Sequence, residues 1–331
     1  MRSRATLVLS NHRPEAVAPA QALMARHDAV ILEEPPDPGF QPMLSGRLGI
    51  DAYLETLDLE YPEFGRRMSE ILRELHRAGK RLYQVEPFLE RLIEIHEHFA
   101  DGGRPADLKP GTDLHQVYAA EREATAALID FYEVSVQGTF EETVTAVKRF
   151  ARSDADRFAL RERMRAGAIV AALADGGSFY IEAGQMHYPL FRELRHGLPP
   201  GHELSVTFLM ADAVRGMGFR RHLYGPGDLL TLLYRFHPDR VLPEEDLLAG
   251  RALIYSKLIA KEEITATADP YPHTRDELET DAVVRRLDMA DCRRLYPVIR
   301  RAATATAREM VRHYLNPAAK RNLADPSRRD R

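Results

Sequence analysis

The chain has 331 residues, 44% apolar and 29% charged, with a formal net charge of −4. That length supports a sizeable core, and that balance gives no footing for nucleic acid or an anionic membrane surface. The one cysteine, Cys292, excludes intramolecular disulfides and any zinc site built on several thiolates.

Five short apolar runs, at about 5–10, 28–33, 81–86, 178–183 and 204–209, read as strands covered on both faces of an α/β layer. After the first, Pro14 opens a helical stretch that runs from Ala16 to Arg26 and leads into the second strand. Pro35, Pro36, Pro38 and Gly39 then force an irregular loop. Ile50 to Leu57 and Pro62 to Ala78 read as helices, with Phe64, Met68, Ile71, Leu72 and Leu75 on one stripe and Gly79 as the cap before the third strand.

Residues 88–99 are predicted helical, and a long helical insertion at about 105–175 separates the third and fourth strands. It breaks near Gly138, where Thr139 followed by Glu142 forms a capping box. Beyond the fifth strand, 226–236, 243–264 and 274–315 read as helices, within a helical C-terminal part at about 212–316. The predicted fold is therefore α/β: a small, mostly parallel central sheet with extensive helical insertions and a helical C-terminal region. Residues 1–316 form one domain, and 317–331 a disordered basic tail. No apolar run approaches the roughly 20 residues that span a bilayer. No signal-like segment opens the chain, and a cytoplasmic location fits.

Chemistry-bearing residues fall just beyond the strands. His12 follows the first, Glu33 and Glu34 the second, Glu86 the third and His187 the fourth. In an open parallel sheet those ends share one edge, where ligands bind. Two imidazoles and a carboxylate there suffice for a metal site or for acid–base chemistry. Strand alternation expects Glu33 to point into the crevice and Glu34 away from it. Glu86 doubles as a helix-start acid, and Glu15 is expected to complement the N-terminus of its own helix. The segment Asp156 to Arg165 reads as a solvated helix face from which one arginine can turn inward to a carboxylate or oxyanion. The Walker A, G-x-G-x-x-G, G-x-S-x-G and H-E-x-x-H patterns are all missing.

At these residues the chain resembles the superfamily that joins TraB/PrgY-type proteins, Tiki proteases, ChaN and the erythromycin esterases. Gly184-Gln185-Met186-His187 matches its second G-x-x-H motif. Leu9-Ser10-Asn11-His12 keeps the first histidine and has Leu9 in place of the glycine. Val30-Ile31-Leu32-Glu33 matches the strand-two glutamate, and Arg161-Glu162 is similar to the motif arginine on a later helix. The resemblance covers about 70 residues, in blocks near 5–34 and 160–198. It implies an α/β core with a His/Glu/His site. The superfamily includes metal-dependent proteases, metal-independent esterases and a haem- or iron-binding member.

The expected function is metal-dependent hydrolysis of an amide or ester in a small molecule or peptide. His12, Glu33 and His187 would hold Mn, Co or Zn, and Arg161 would stabilise the oxyanion. Glu34 or Glu86 would handle protons. In a metal-free esterase, one His or Glu33 activates water directly. Two other readings compete. One is a non-enzymatic haem, metal or small-ligand binder using Tyr180, Tyr188 and Met186. The other is a scaffold that forms a homo-oligomer through its C-terminal helices.

Overall fold

The computed structural model describes residues 3–220, 224–265 and 267–316. Five strands form one all-parallel sheet: β1 (Ser3–Ser10), β2 (Ala29–Leu32), β3 (Arg81–Gln84), β4 (Gly177–Gly184) and β5 (Glu203–Phe208), in the order β3-β2-β4-β1-β5. Alternation along the strands feeds two cores. Val8, Val30, Leu32 and Tyr180 face the helices Val17–Met24 and Pro62–Arg77. Leu7, Leu9, Ile31, Phe179 and Ile181 face the opposite side, with Ile169 of the helix Phe140–Ala172 and Leu190 of the helix Leu190–Gly197. Both faces are covered, which explains the near-continuous apolar composition of β2.

β4 enters last but one and lies between β1 and β2. The chain leaving β1 therefore runs toward β2, whereas the chain leaving β4 runs the other way, toward β5. The two connections pack on opposite faces of the sheet, and adjacent parallel strands whose connections part in that way open a crevice at their C-termini. β1 and β4 are paired from Ser3 with Gly177 to Ser10 with Gly184, so their exits are level. The next residues of interest, His12 and His187, leave from those exits.

The insertion is a helical pair, Asp113–Gln137 and Phe140–Ala172, and Thr139 and Glu142 cap the second helix reciprocally. Phe140, Val144 and Val147 of that long helix belong to a third core with the C-terminal helices, while its other end packs on the sheet. The C-terminal part is more broken than expected. Helix Glu245–Leu258 stops short of 264 because Ile259 turns extended, and 274–315 divides into Pro272–Val284, Met289–Ile299 and Thr304–Leu315. Asp288 restarts the second of these with a capping box of its own, made with Asp291. The tail expected at 317–331 lies outside the described residues. Among the described residues, no helix is long and apolar enough to cross a membrane.

Candidate functional site

Gly184 marks where the strand ends meet. A Cβ built on it would lie 3.6 Å from Glu33 Oε2, 3.6 Å from His187 Cδ2 and 3.7 Å from His12 Cε1. The backbone N–H of Gly184 donates to Glu33 Oε2 at 2.6 Å. Three side chains from three strand ends thus surround one residue that has no side chain of its own.

His12 sits in unusual backbone. Its φ of 50° is the only positive value at a non-glycine among the described residues. Such strain persists where surrounding structure enforces it and concentrates at functional positions. Its backbone N–H donates to Ser10 Oγ, and its ring lies 5.5 Å from that of Phe64. Nε2 is buried with no hydrogen-bond partner and lies 3.8 Å from Glu182 Oε1, too far for a direct hydrogen bond.

His187 is held differently. Its Nε2 lies 3.0 Å from Glu33 Oε1 and its Nδ1 3.8 Å from Glu162 Oε1, with Phe158 set edge-on against the ring. Burial pushes its pKa down, but Glu33 and Glu162 outweigh that and raise it. The same Glu33 oxygen lies 3.2 Å from Arg161 and 3.4 Å from Arg165. Burial alone raises a carboxyl pKa; here His187, Arg165 and Arg161 hold Glu33 well below its ordinary value.

The arginines come from one stripe of the long helix. Phe158, Arg161, Glu162 and Arg165 follow the three- and four-residue spacing of a helix face. The expectation of a solvated face holds for Asp156 and Arg163, which are exposed. It fails for Glu162 and Arg165, each 1% exposed. Arg165 donates to the carbonyls of Val85 and Glu182, and Arg161 also pairs with the fully buried Glu86 at 3.1 Å. Glu162 in turn accepts from Arg235, which also reaches Glu193. The buried acids and bases therefore compensate one another, as burial of charge requires.

Glu33 and Glu34 do not divide as alternation predicts, because the strand ends at Leu32. Both line a cavity of about 190 Å³ under the helix Pro62–Arg77. Glu34 accepts from Gln84 Nε2 at 3.0 Å, and burial together with the charge of Glu182 raises its pKa to about 7. A second cavity, of about 500 Å³, contains Arg13, Arg161, His187, Asp228, Tyr255 and Glu277. Burial raises Asp228 to about 6 and Glu277 to about 7.

Three expectations are corrected in detail. Glu15 does not serve its own helix: it accepts the backbone N–H groups of His273 and Thr274, capping the helix Pro272–Val284. Tyr180 is a core residue, 1% exposed and edge-on to His27, and lines neither cavity. Glu86 is less a helix-start acid than a buried counter-charge for two arginines. Sequence reasoning passed over Glu182 and gave Glu162 and Arg165 no role of their own. Glu182 had a usable signal, a lone carboxylate inside the run Phe-Tyr-Ile-Glu-Ala.

A divalent ion between His12, Glu33 and His187 meets an unsuitable donor set. Both Glu33 oxygens are engaged, His187 Nε2 faces Glu33, and two guanidinium groups stand where the cation would add like charge. Among the described residues, no group of three or more His, Cys, Asp or Glu side chains is placed to hold a metal ion.

No family model and no solved structure matches the chain. It is similar to an "Uncharacterized protein" of Archaeoglobus fulgidus, 29% identical over 291 residues, which covers 88% of this chain and 97% of that one.

Proposed function

We propose that this protein is a hydrolase of ester or amide bonds, similar to the TraB–Tiki–ChaN–erythromycin esterase group, that works by acid–base catalysis with His12 as the base. One observation carries this reading. A histidine on strained backbone lines both cavities, with its Nε2 buried beside Glu182, opposite a cluster in which Arg161, Arg165 and His187 surround Glu33.

His12 takes a proton from a water in the crevice, and Glu182, 3.8 Å from its buried Nε2, favours the resulting imidazolium. The water oxygen attacks the carbonyl carbon. Charge that develops on the carbonyl oxygen is met by the positive charge of Arg161, which lines the second cavity with His187. Glu34, whose raised pKa of about 7 keeps roughly half of it protonated at neutral pH, gives its proton to the departing alcohol or amine. Glu33 touches no substrate in this scheme; it fixes the positions of Arg161, Arg165 and His187.

A panel of chromogenic esters and amides, assayed with and without EDTA, tests the reading. The expected result is turnover that survives chelation and falls on the order of 10²–10⁴-fold in His12→Ala and Glu34→Gln. Activity lost to EDTA and restored by Mn, Co or Zn replaces this scheme with a metal-assisted one. Turnover unchanged in His12→Ala overturns it.

A further inference from the structure

His12 and Glu33 line both cavities, so the reacting bond sits at the neck between two chambers of different character. The first holds about 190 Å³; Met43, Leu57, Phe64 and Met68 supply its apolar wall, and Glu34, Asp58, Glu60 and Glu182 also line it. The second, about 500 Å³, is polar and carries Arg13, Arg161, Asp228 and Glu277. Glu34 lines only the first, and Arg161 only the second.

That division assigns the two halves of a substrate. The carbonyl oxygen must face Arg161, and the departing atom must face Glu34. At about 30 Å³ for each water-sized atom, the first cavity has room for roughly six non-hydrogen atoms. We infer that the first cavity is the leaving-group pocket and takes an apolar alcohol or amine of that size, while the second receives the polar acyl portion. This rests on the hydrolase reading above. The bond from carbonyl carbon to the departing oxygen or nitrogen breaks, its electron pair stays with the departing atom, and that atom takes the Glu34 proton. Water supplies the hydroxyl of the acid product, and its other proton passes to His12.

Two measurements test the assignment separately. Binding of straight-chain alcohols from ethanol to decanol, followed by calorimetry, is expected to be strongest near pentanol and to weaken for longer chains. Leu57→Trp fills the cavity from its half-buried rim and is expected to weaken pentanol at least ten-fold. The chain has no other tryptophan, so the emission of this variant also reports whether it is folded. Leu57→Ala is expected to move the optimum to a longer alcohol. In the second measurement, kcat/KM for acetate esters peaks at the same alcohol length, with no such peak for ethyl esters of lengthening acids. A peak that follows the acid overturns the assignment, as does alcohol binding that ignores both Leu57 variants. An alcohol ladder that binds as expected while no ester or amide turns over leaves the pocket standing and removes the hydrolase reading.

Discussion

The carboxylate of Glu15 receives the backbone N–H of His273 at 3.0 Å and that of Thr274 at 2.7 Å, joining the first helical turn after β1 to a helix near the far end of the chain. Glu263 does the same in the opposite direction, accepting the N–H groups of Glu63 and Phe64 at the start of the helix Pro62–Arg77. Each acid satisfies donors that a helix leaves orphaned and sits at the positive end of its dipole. Those two helices carry walls of the two cavities.

Glu15→Ala removes both acceptors at the helix Pro272–Val284. Loss of about 1–2 kcal/mol is expected, the range for a strong helix cap. Urea denaturation measures it. Limited proteolysis is expected to cut the variant between residues 259 and 272 faster than the parent; equal cutting rates refute the cross-chain cap as the anchor of that segment.

Arg165 is 1% exposed and lies 3.4 Å from Glu33 and 3.6 Å from Glu86. Arg165→Met leaves two buried carboxylates short of positive charge. The expected cost is about 3–5 kcal/mol, the usual penalty for breaking a buried ion pair from one side. Arg165→Lys keeps the charge and loses the fork that reaches two carbonyls, so it is expected to fall between. Chemical denaturation of the two variants ranks them, and a Lys variant no better than Met removes charge as the cause.

The pair Glu33–His187 gives stability a pH window. Glu33 is depressed from 4.5, so its contribution is full above that value and fades as pH falls through its folded value. His187 is raised from 6.5, so its contribution is full below that value and is lost as pH rises through its folded value. His187→Gln is expected to destabilise most between pH 4.5 and 6.5, and less on the alkaline side. Melting curves across pH check this; a penalty that grows steadily into alkali contradicts the pairing.

Glu34 carries the opposite sign. Its pKa rises on folding from 4.5 to about 7, so stability drops as pH climbs between those values. Glu34→Gln keeps an oxygen for Gln84 and removes the charge. At pH 8 it is expected to be more stable than the parent by about 3 kcal/mol, an order-of-magnitude figure from the size of the shift. At pH 4 the two are expected to melt together. A stabilised variant that no longer turns over substrate is the mark of a residue kept for chemistry.

His12→Gly offers a related comparison. Glycine adopts positive φ without steric cost, so the variant loses the ring and its contact with Phe64 but also relieves strain. Stability within about 1 kcal/mol of the parent is expected, together with loss of the proposed hydrolysis.

Much of this arrangement was legible in the sequence because β-rich runs followed by polar residues have one simple meaning in a parallel sheet. All five strands and the break at Thr139 were open to reading, since capping and burial act locally. The order β3-β2-β4-β1-β5 was not, because nothing local tells β4 to insert between β1 and β2. Arg161, Glu162 and Arg165 look like any charged helix until a sheet edge with unpaired carboxylates is placed against them. Glu15 was misread for the same reason: a first-turn acid serves its own helix unless a distant N-terminus comes closer.

The adjacency of β1 and β4 also bears on how the protein comes into being. Ser3 finds its partner at Gly177 only after the whole helical insertion has been synthesised. Contacts so distant in sequence form slowly, because a long loop must close before they reward the chain. A nascent polypeptide that ends before Gly177 therefore lacks the strand that joins β1 to β2. On the ribosome, competence arrives late, and residues from Asp228 to Glu277 complete the crevice last.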